Sequence, residues 1–167
     1  RVYAKYFDRD DSVLADDRDA MDAWTSAQAG FRFDREFDSA TFLTIQGDVY
    51  DGSGEQPDAA DISQSGGNLL ARWESSPRGT DRLRIQTYYD HTHQFTPDDF
   101  GDDLDTFDID TQYERPIGST HLVMVGAGYR FTRNEVKNMP GGIAFLPATL
   151  DRHLFSAFVQ DDISLLE

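Results

Sequence analysis

His91 and His93 stand two residues apart, a spacing that puts both imidazoles on one face of a β-strand, where they could chelate a transition metal. No third ligand is identifiable beside them, so a pair of histidines at the edge of a loop is the simpler expectation. The acidic runs Asp98–Asp105 and Asp8–Asp11 could draw calcium. Neither has the spacing, the central glycine and the closing glutamate of an EF-hand loop, and solvated acidic loops account for both. Carboxylates are abundant enough to form an acid/base pair, yet abundance is not a constellation. A Gly-x-Ser-x-Gly elbow, a phosphate-binding glycine loop and a His-Glu-x-x-His helix are all missing from the sequence. The expectation is a protein that is not an enzyme, with no cofactor and no metal centre.

What surrounds these residues is acidic and free of cysteine. Lys and Arg number 15 against 31 Asp and Glu, a formal charge of −16 over 167 residues. A nucleic-acid backbone would be repelled by such a chain, which removes DNA and RNA from the expected partners. The absence of cysteine removes disulfides, thiol catalysis and zinc ribbons together. The length asks for no second domain, so residues 1–167 are read as one segment. Arg1–Phe7 reads as the inside of a strand rather than as a leader. The stretch 116–129 lacks formal charge but contains three glycines, and it falls short of the roughly 20 apolar residues of a spanning helix. A barrel strand needs only about 10 residues with one apolar face, so low mean hydropathy leaves a membrane barrel open.

Apolar residues recur with a period of two in segment after segment, rich in aromatic and β-branched side chains. Eight strands are expected, near 1–9, 24–34, 40–51, 68–74, 81–93, 105–115, 120–133 and 153–163. Short connections dense in turn formers fall at 35–39, 75–79 and 116–119. Long loops are expected at 10–23, 52–67, 94–104 and 134–152. Short turns at one end and long loops at the other describe an all-β, antiparallel up-and-down meander. Behind each short turn a phrase returns, Leu43–Asp51, Leu83–Asp90 and Val123–Arg130, with a period of about 40 residues. A propeller blade has that period too, but it fits four short strands where this chain has two long strands and one long loop.

Each strand divides by parity. Ala27, Ala29, Phe31 and Phe33 oppose Ser26, Gln28, Gly30 and Arg32; Leu43, Ile45 and Val49 oppose Thr44, Gln46 and Asp48. Likewise Leu83, Ile85 and Tyr89 oppose Arg84, Gln86 and Asp90, while Phe107, Ile109 and Tyr113 oppose Asp108, Asp110, Gln112 and Glu114. A soluble sheet with one face on a core would show the same alternation. Long strands, asymmetric loops and aromatics such as Tyr50, Tyr89, Tyr113, Tyr129 and Phe131 near strand ends tilt the reading toward a transmembrane barrel.

The stretches Arg1–Arg9, Thr44–Tyr50, Gly67–Trp73 and above all Phe155–Ile163 resemble the barrel of a TonB-dependent outer-membrane receptor. The last is similar to a recurrent strand of that family, in which an aromatic-Val-Gln-Asp-acidic run leads into a periplasmic turn. The resemblance implies a barrel of 22 strands with a separate plug domain. It implies active uptake of scarce ligands, such as ferric siderophores, haem or cobalamin, driven by the TonB complex through the plug, in the outer membrane of a Gram-negative bacterium. Neither a plug nor a TonB box can be matched, and Leu165-Leu166-Glu167 lacks the terminal aromatic expected where such a barrel ends, so the chain is expected to be part of a larger transmembrane wall. Its expected partners are the rest of the barrel, the plug, outer-membrane lipid and a siderophore-like ligand. With odd strands running outward, the residues expected to line the lumen near its outer end and contact ligand are Trp24, Asp48, Tyr50, Tyr88, Asp90 and Arg130. Two other readings stand beside this one: a complete small eight-stranded outer-membrane barrel, and a soluble carbohydrate-binding or hydrolytic β-domain.

Overall fold

The computed structural model describes residues 1–57 and 59–165; the reading of Leu165–Glu167 falls partly on residues 166 and 167, outside that range. Eight strands form one sheet: β1 (Val2–Arg9), β2 (Trp24–Asp38), β3 (Thr41–Gln56), β4 (Ala59–Ser75), β5 (Arg82–Thr96), β6 (Phe100–Ile117), β7 (His121–Asn138) and β8 (Thr149–Ile163). Every strand pairs antiparallel with its neighbours in sequence, in the order β1 to β8, and β1 and β8 are the two edges. The expected up-and-down meander of eight strands is therefore present.

The strands are longer than the sequence pattern indicates. Segments 52–67 and 94–104, expected as long loops, are almost entirely strand: β3 runs to Gln56, β4 begins at Ala59, and only residues 97–99 separate β5 from β6. Much of 134–152 is strand as well, leaving 139–148 as the connection. Residues 10–23 do form a loop. Its isolated bridge joins Val13 to Asp19, and Asp11 Oδ1 accepts the backbone N–H of Asp22 at 2.7 Å and of Ala23 at 3.0 Å. The expected contrast in loop length thus becomes mainly a contrast in how far hairpins project.

The repeat seen in the sequence acquires a geometric meaning from the register. Leu43 pairs with Trp73 and Trp73 with Ile85, two residues past Leu83; Leu83 pairs with Tyr113 and Tyr113 with Val125, two residues past Val123. Equivalent positions therefore slip by two residues every two strands. At about 3.3 Å per residue and 4.8 Å between strands, a slip of one residue per strand corresponds to a tilt of roughly 35°.

Among the described residues no apolar side chain is buried; the side chains that reach burial are those of Thr44 and Asp81. One face carries Phe31, Val49, Leu69, Phe107, Val125, Phe155 and Val159, all well exposed, with Val159 at 77 % and Phe155 at 76 %. Among the described residues the sheet is a single layer, with no second layer of strand or helix packed on either side. The strand interiors contain several glycines, and at three of them an aromatic ring occupies part of the space a side chain would need. A Cβ on Gly30 would meet Tyr3 Cε1 at 2.7 Å, one on Gly66 would meet Tyr50 Oη at 2.7 Å, and one on Gly126 would meet Phe158 Cζ at 2.7 Å. Each ring comes from the adjacent strand and lies across bare backbone, the arrangement in which an aromatic covers a glycine in a sheet.

At the β4–β5 turn, Asp81 is the anchor. Its carboxylate accepts the Arg78 backbone N–H at 2.8 Å and the Tyr113 hydroxyl at 2.7 Å. The Tyr113 bond and, after it, the Arg78 N–H hold this carboxyl below its ordinary value, against the opposing effect of burial. Because the folded value lies below the unfolded one, near 3.9, the stabilisation is complete above about pH 5 and is lost as pH falls through the folded value. In Asp81→Asn the acid limb of the stability–pH profile is expected to flatten. An acid denaturation series unchanged by the substitution would remove Asp81 as the anchor.

Candidate functional site

Register fixes which side chains share a face, because residues directly opposite in an antiparallel pair project to the same side. One row on the polar side runs Tyr3, Gly30, Asp48, Asn68, Asp90, Thr106. The row beneath it runs Arg32, Gln46, Leu70, Tyr88, Asp108, Arg130. All six residues expected to contact ligand belong to this polar side: Asp48, Asp90, Tyr88 and Arg130 lie in these rows, Tyr50 pairs with Gly66, and Trp24 pairs with Gly54.

They do not form one site. Tyr88 and Arg130 meet: the Arg130 guanidinium lies 5.9 Å from the Tyr88 ring centroid, and its Nε donates to Asp108 Oδ2 at 2.9 Å. Together with Gln86, Asp110 and Ser156 they line a recess of about 320 Å³. Asp48 is engaged elsewhere, accepting the Tyr3 hydroxyl, which in turn accepts Gln28 Nε2 at 3.2 Å. Tyr50 is committed to covering Gly66, and Asp90 accepts a long bond from Thr92 Oγ1 at 3.4 Å. Trp24 stands at the start of β2, 6.5 Å from the Phe7 ring, beside a separate pocket.

Between these places the polar side is a mesh of charge and amide groups. Arg32 bonds Asp34, which also accepts Thr44 Oγ1 at 2.7 Å. Arg84 pairs with Glu74 at 2.9 Å, and Arg72 gives two hydrogen bonds to Gln86 Oε1, at 2.8 and 2.6 Å. Such ion pairs in contact with water contribute about 0–1 kcal/mol each, so they order the face more than they stabilise it. Tyr3 and Arg72 are the members that parity did not single out. Tyr3 and Tyr6 fall on opposite sides of β1, and alternation in that strand gives no way to choose between them.

On the apolar side, charge is confined to the ends of the strands. At one end His91 Nδ1 lies 2.9 Å from Asp105 and His93 Nδ1 lies 2.7 Å from Asp103; at the other His121 Nδ1 lies 2.7 Å from Asp161. The two adjacent histidines are thus each taken by a carboxylate of β6. No group of three or more His, Cys, Asp or Glu that could hold a metal ion is present among the described residues. Aromatic rings mark both margins of the apolar side. Tyr89, Phe107 and Phe131 share one row, while at the other end the Phe37 and Trp73 rings lie 5.6 Å apart, tilted by 40°. Tyr50, grouped with these rings in the sequence pattern, is on the polar side instead.

Compared with known protein families, curated proteins and solved structures, the chain matches none.

Proposed function

We propose that this chain forms part of the wall of a TonB-dependent outer-membrane uptake receptor, with its apolar side in lipid and its polar side toward a ligand-conducting lumen. The observation that carries the reading is the one-sided single layer. A sheet whose apolar side buries nothing requires a cover, and an apolar band bounded by aromatic rings, with charge at and beyond those rings, has the chemistry of a lipid-facing surface. The slip of one residue per strand adds support, since a tilt of roughly 35° is what closing a barrel demands. β1 and β8 are not neighbours in the sheet, so the small closed eight-stranded barrel is the less favoured form. In this reading the edges pair with further strands, a plug fills the lumen and connects to the TonB complex, and the cargo is a ferric siderophore or a similarly scarce nutrient.

The absence of cysteine makes the test direct. Single cysteines placed at Gln112 and Ser156 are expected to react with a water-soluble maleimide in outer-membrane vesicles, and cysteines at Val125 and Ala157 only with a lipid-soluble one. Equal reaction of all four with the water-soluble reagent would remove lipid from the account. Cells lacking the protein are expected to lose uptake of its cargo to the same extent as cells lacking TonB. Uptake that persists without TonB would refute the energy coupling.

A further inference from the structure

We infer that the pocket at the outer end of the polar side takes a neutral, polyhydroxylated ligand: a sugar unit. The inference rests on the uptake reading for the direction from which ligand arrives, and on the pocket's own chemistry for what that ligand is. The cavity measures about 230 Å³ and is walled by Trp24 and Ile62, with Gln64 and Gln94 on one side and Gly52 and Gly54 in its floor. In a chain with 28 % charged residues, none of its lining residues among those described carries a charge. The nearest charges in register, Arg9 opposite Trp24 and Asp102 opposite Gln94, flank the pocket on either side rather than line it.

The floor is the telling feature. At Gly30, Gly66 and Gly126 neighbouring atoms, those of a ring among them, occupy the space of a side chain, but Gly54 has no such reason. A Cβ there would make only ordinary contacts, 3.5 Å to Ile62 and 3.7 Å to Trp24. Packing does not require bare backbone at this position, and bare backbone in a strand is what a closely approaching ligand uses. An indole face suits the C–H face of a pyranose, and carboxamides can both donate to and accept from hydroxyls. A charged ligand would lose hydration here without gaining a counter-charge. The Tyr88–Asp108–Arg130 recess, with charge of both signs, offers the opposite chemistry and lies further in.

The chain has two tryptophans, and Trp73 packs on Phe37 on the other side of the sheet. In Trp73→Phe, Trp24 is therefore the one indole left in residues 1–167. Maltose, cellobiose and N,N′-diacetylchitobiose are the neutral probes, with glucuronate and glucosamine as charged comparators. At least one neutral probe is expected to shift Trp24 emission saturably. In the Trp73→Phe background, Gly54→Val, which fills the floor from a Cβ position that itself makes only ordinary contacts, is expected to weaken that response at least tenfold, as is Gln64→Ala combined with Gln94→Ala. A flat response to all three neutral probes, an equal response to the charged ones, or a full response in Gly54→Val would overturn the assignment. The maleimide experiment is independent: if it fails while the sugar response stands, the membrane reading falls and the pocket remains.

Discussion

Arginine in place of Ala157 is expected to lower the stability of the bilayer-inserted chain by roughly 2–4 kcal/mol, whereas arginine in place of Ser156 changes it by about 0.5 kcal/mol or less. The two positions are adjacent and project to opposite sides. Ala157 pairs with Ala127, which pairs with Thr111, in the middle of the apolar band between Phe155 and Val159. In the proposed wall a guanidinium there would have hydrocarbon around it and could reach water only by thinning the bilayer or bending toward an interface. Ser156 pairs with Gly128, which in turn pairs with Asp110, so a guanidinium at 156 stays in the polar mesh with a carboxylate close by. Urea titration of the protein folded into phospholipid vesicles measures both variants on one scale. Equal small costs would mean that the band faces water or another protein; a larger cost at Ser156 would mean that the faces are assigned the wrong way round.

The alternation that separates these two residues is visible in the sequence, and this is why the faces were legible before the strand ends were. Period two places Phe155, Ala157 and Val159 on one side without any knowledge of neighbours, and it places all six expected ligand contacts on the other. Strand ends have no such marker. Residues 52–67 contain Gly52, Gly54, Gly66 and Gly67 among serines and acidic side chains, a composition that reads as loop. In the structure they are held by pairing across the hairpin, with Ser53 opposite Ser63 and Gly52 opposite Gln64. Cross-strand hydrogen bonding overrides weak local propensity there, as it commonly does in sheets. The division of the six residues among separate neighbourhoods was equally hidden. Whether Asp48 meets Tyr3 or faces open space depends on the register between β1, β2 and β3, and a one-residue slip in that register would send the partner to the other side.

The same dependence on register gives the second large effect. Gly126→Ala is expected to cost roughly 1–3 kcal/mol, although the position lies within a strand where alanine is ordinarily preferred by about 0.5–1 kcal/mol. The added methyl would run into the Phe158 ring, whose Cζ and Cδ1 stand 2.7 and 3.0 Å from the Cβ position. The atoms in conflict all belong to one side chain, so removing it removes the conflict. In the double variant Gly126→Ala with Phe158→Ala, the alanine at 126 is expected to be neutral or mildly stabilising relative to Phe158→Ala alone, a coupling of roughly 1–3 kcal/mol in a double-mutant cycle. Gly66 provides the contrast. A Cβ there would meet Tyr50 Oη at 2.7 Å but also the backbone carbonyl of His91, which no side-chain deletion can move. Tyr50→Ala is therefore expected to leave most of the cost of Gly66→Ala in place. If the two cycles give the same coupling, the rings are not what demands glycine, and the covering of bare backbone by aromatics is incidental to this sheet.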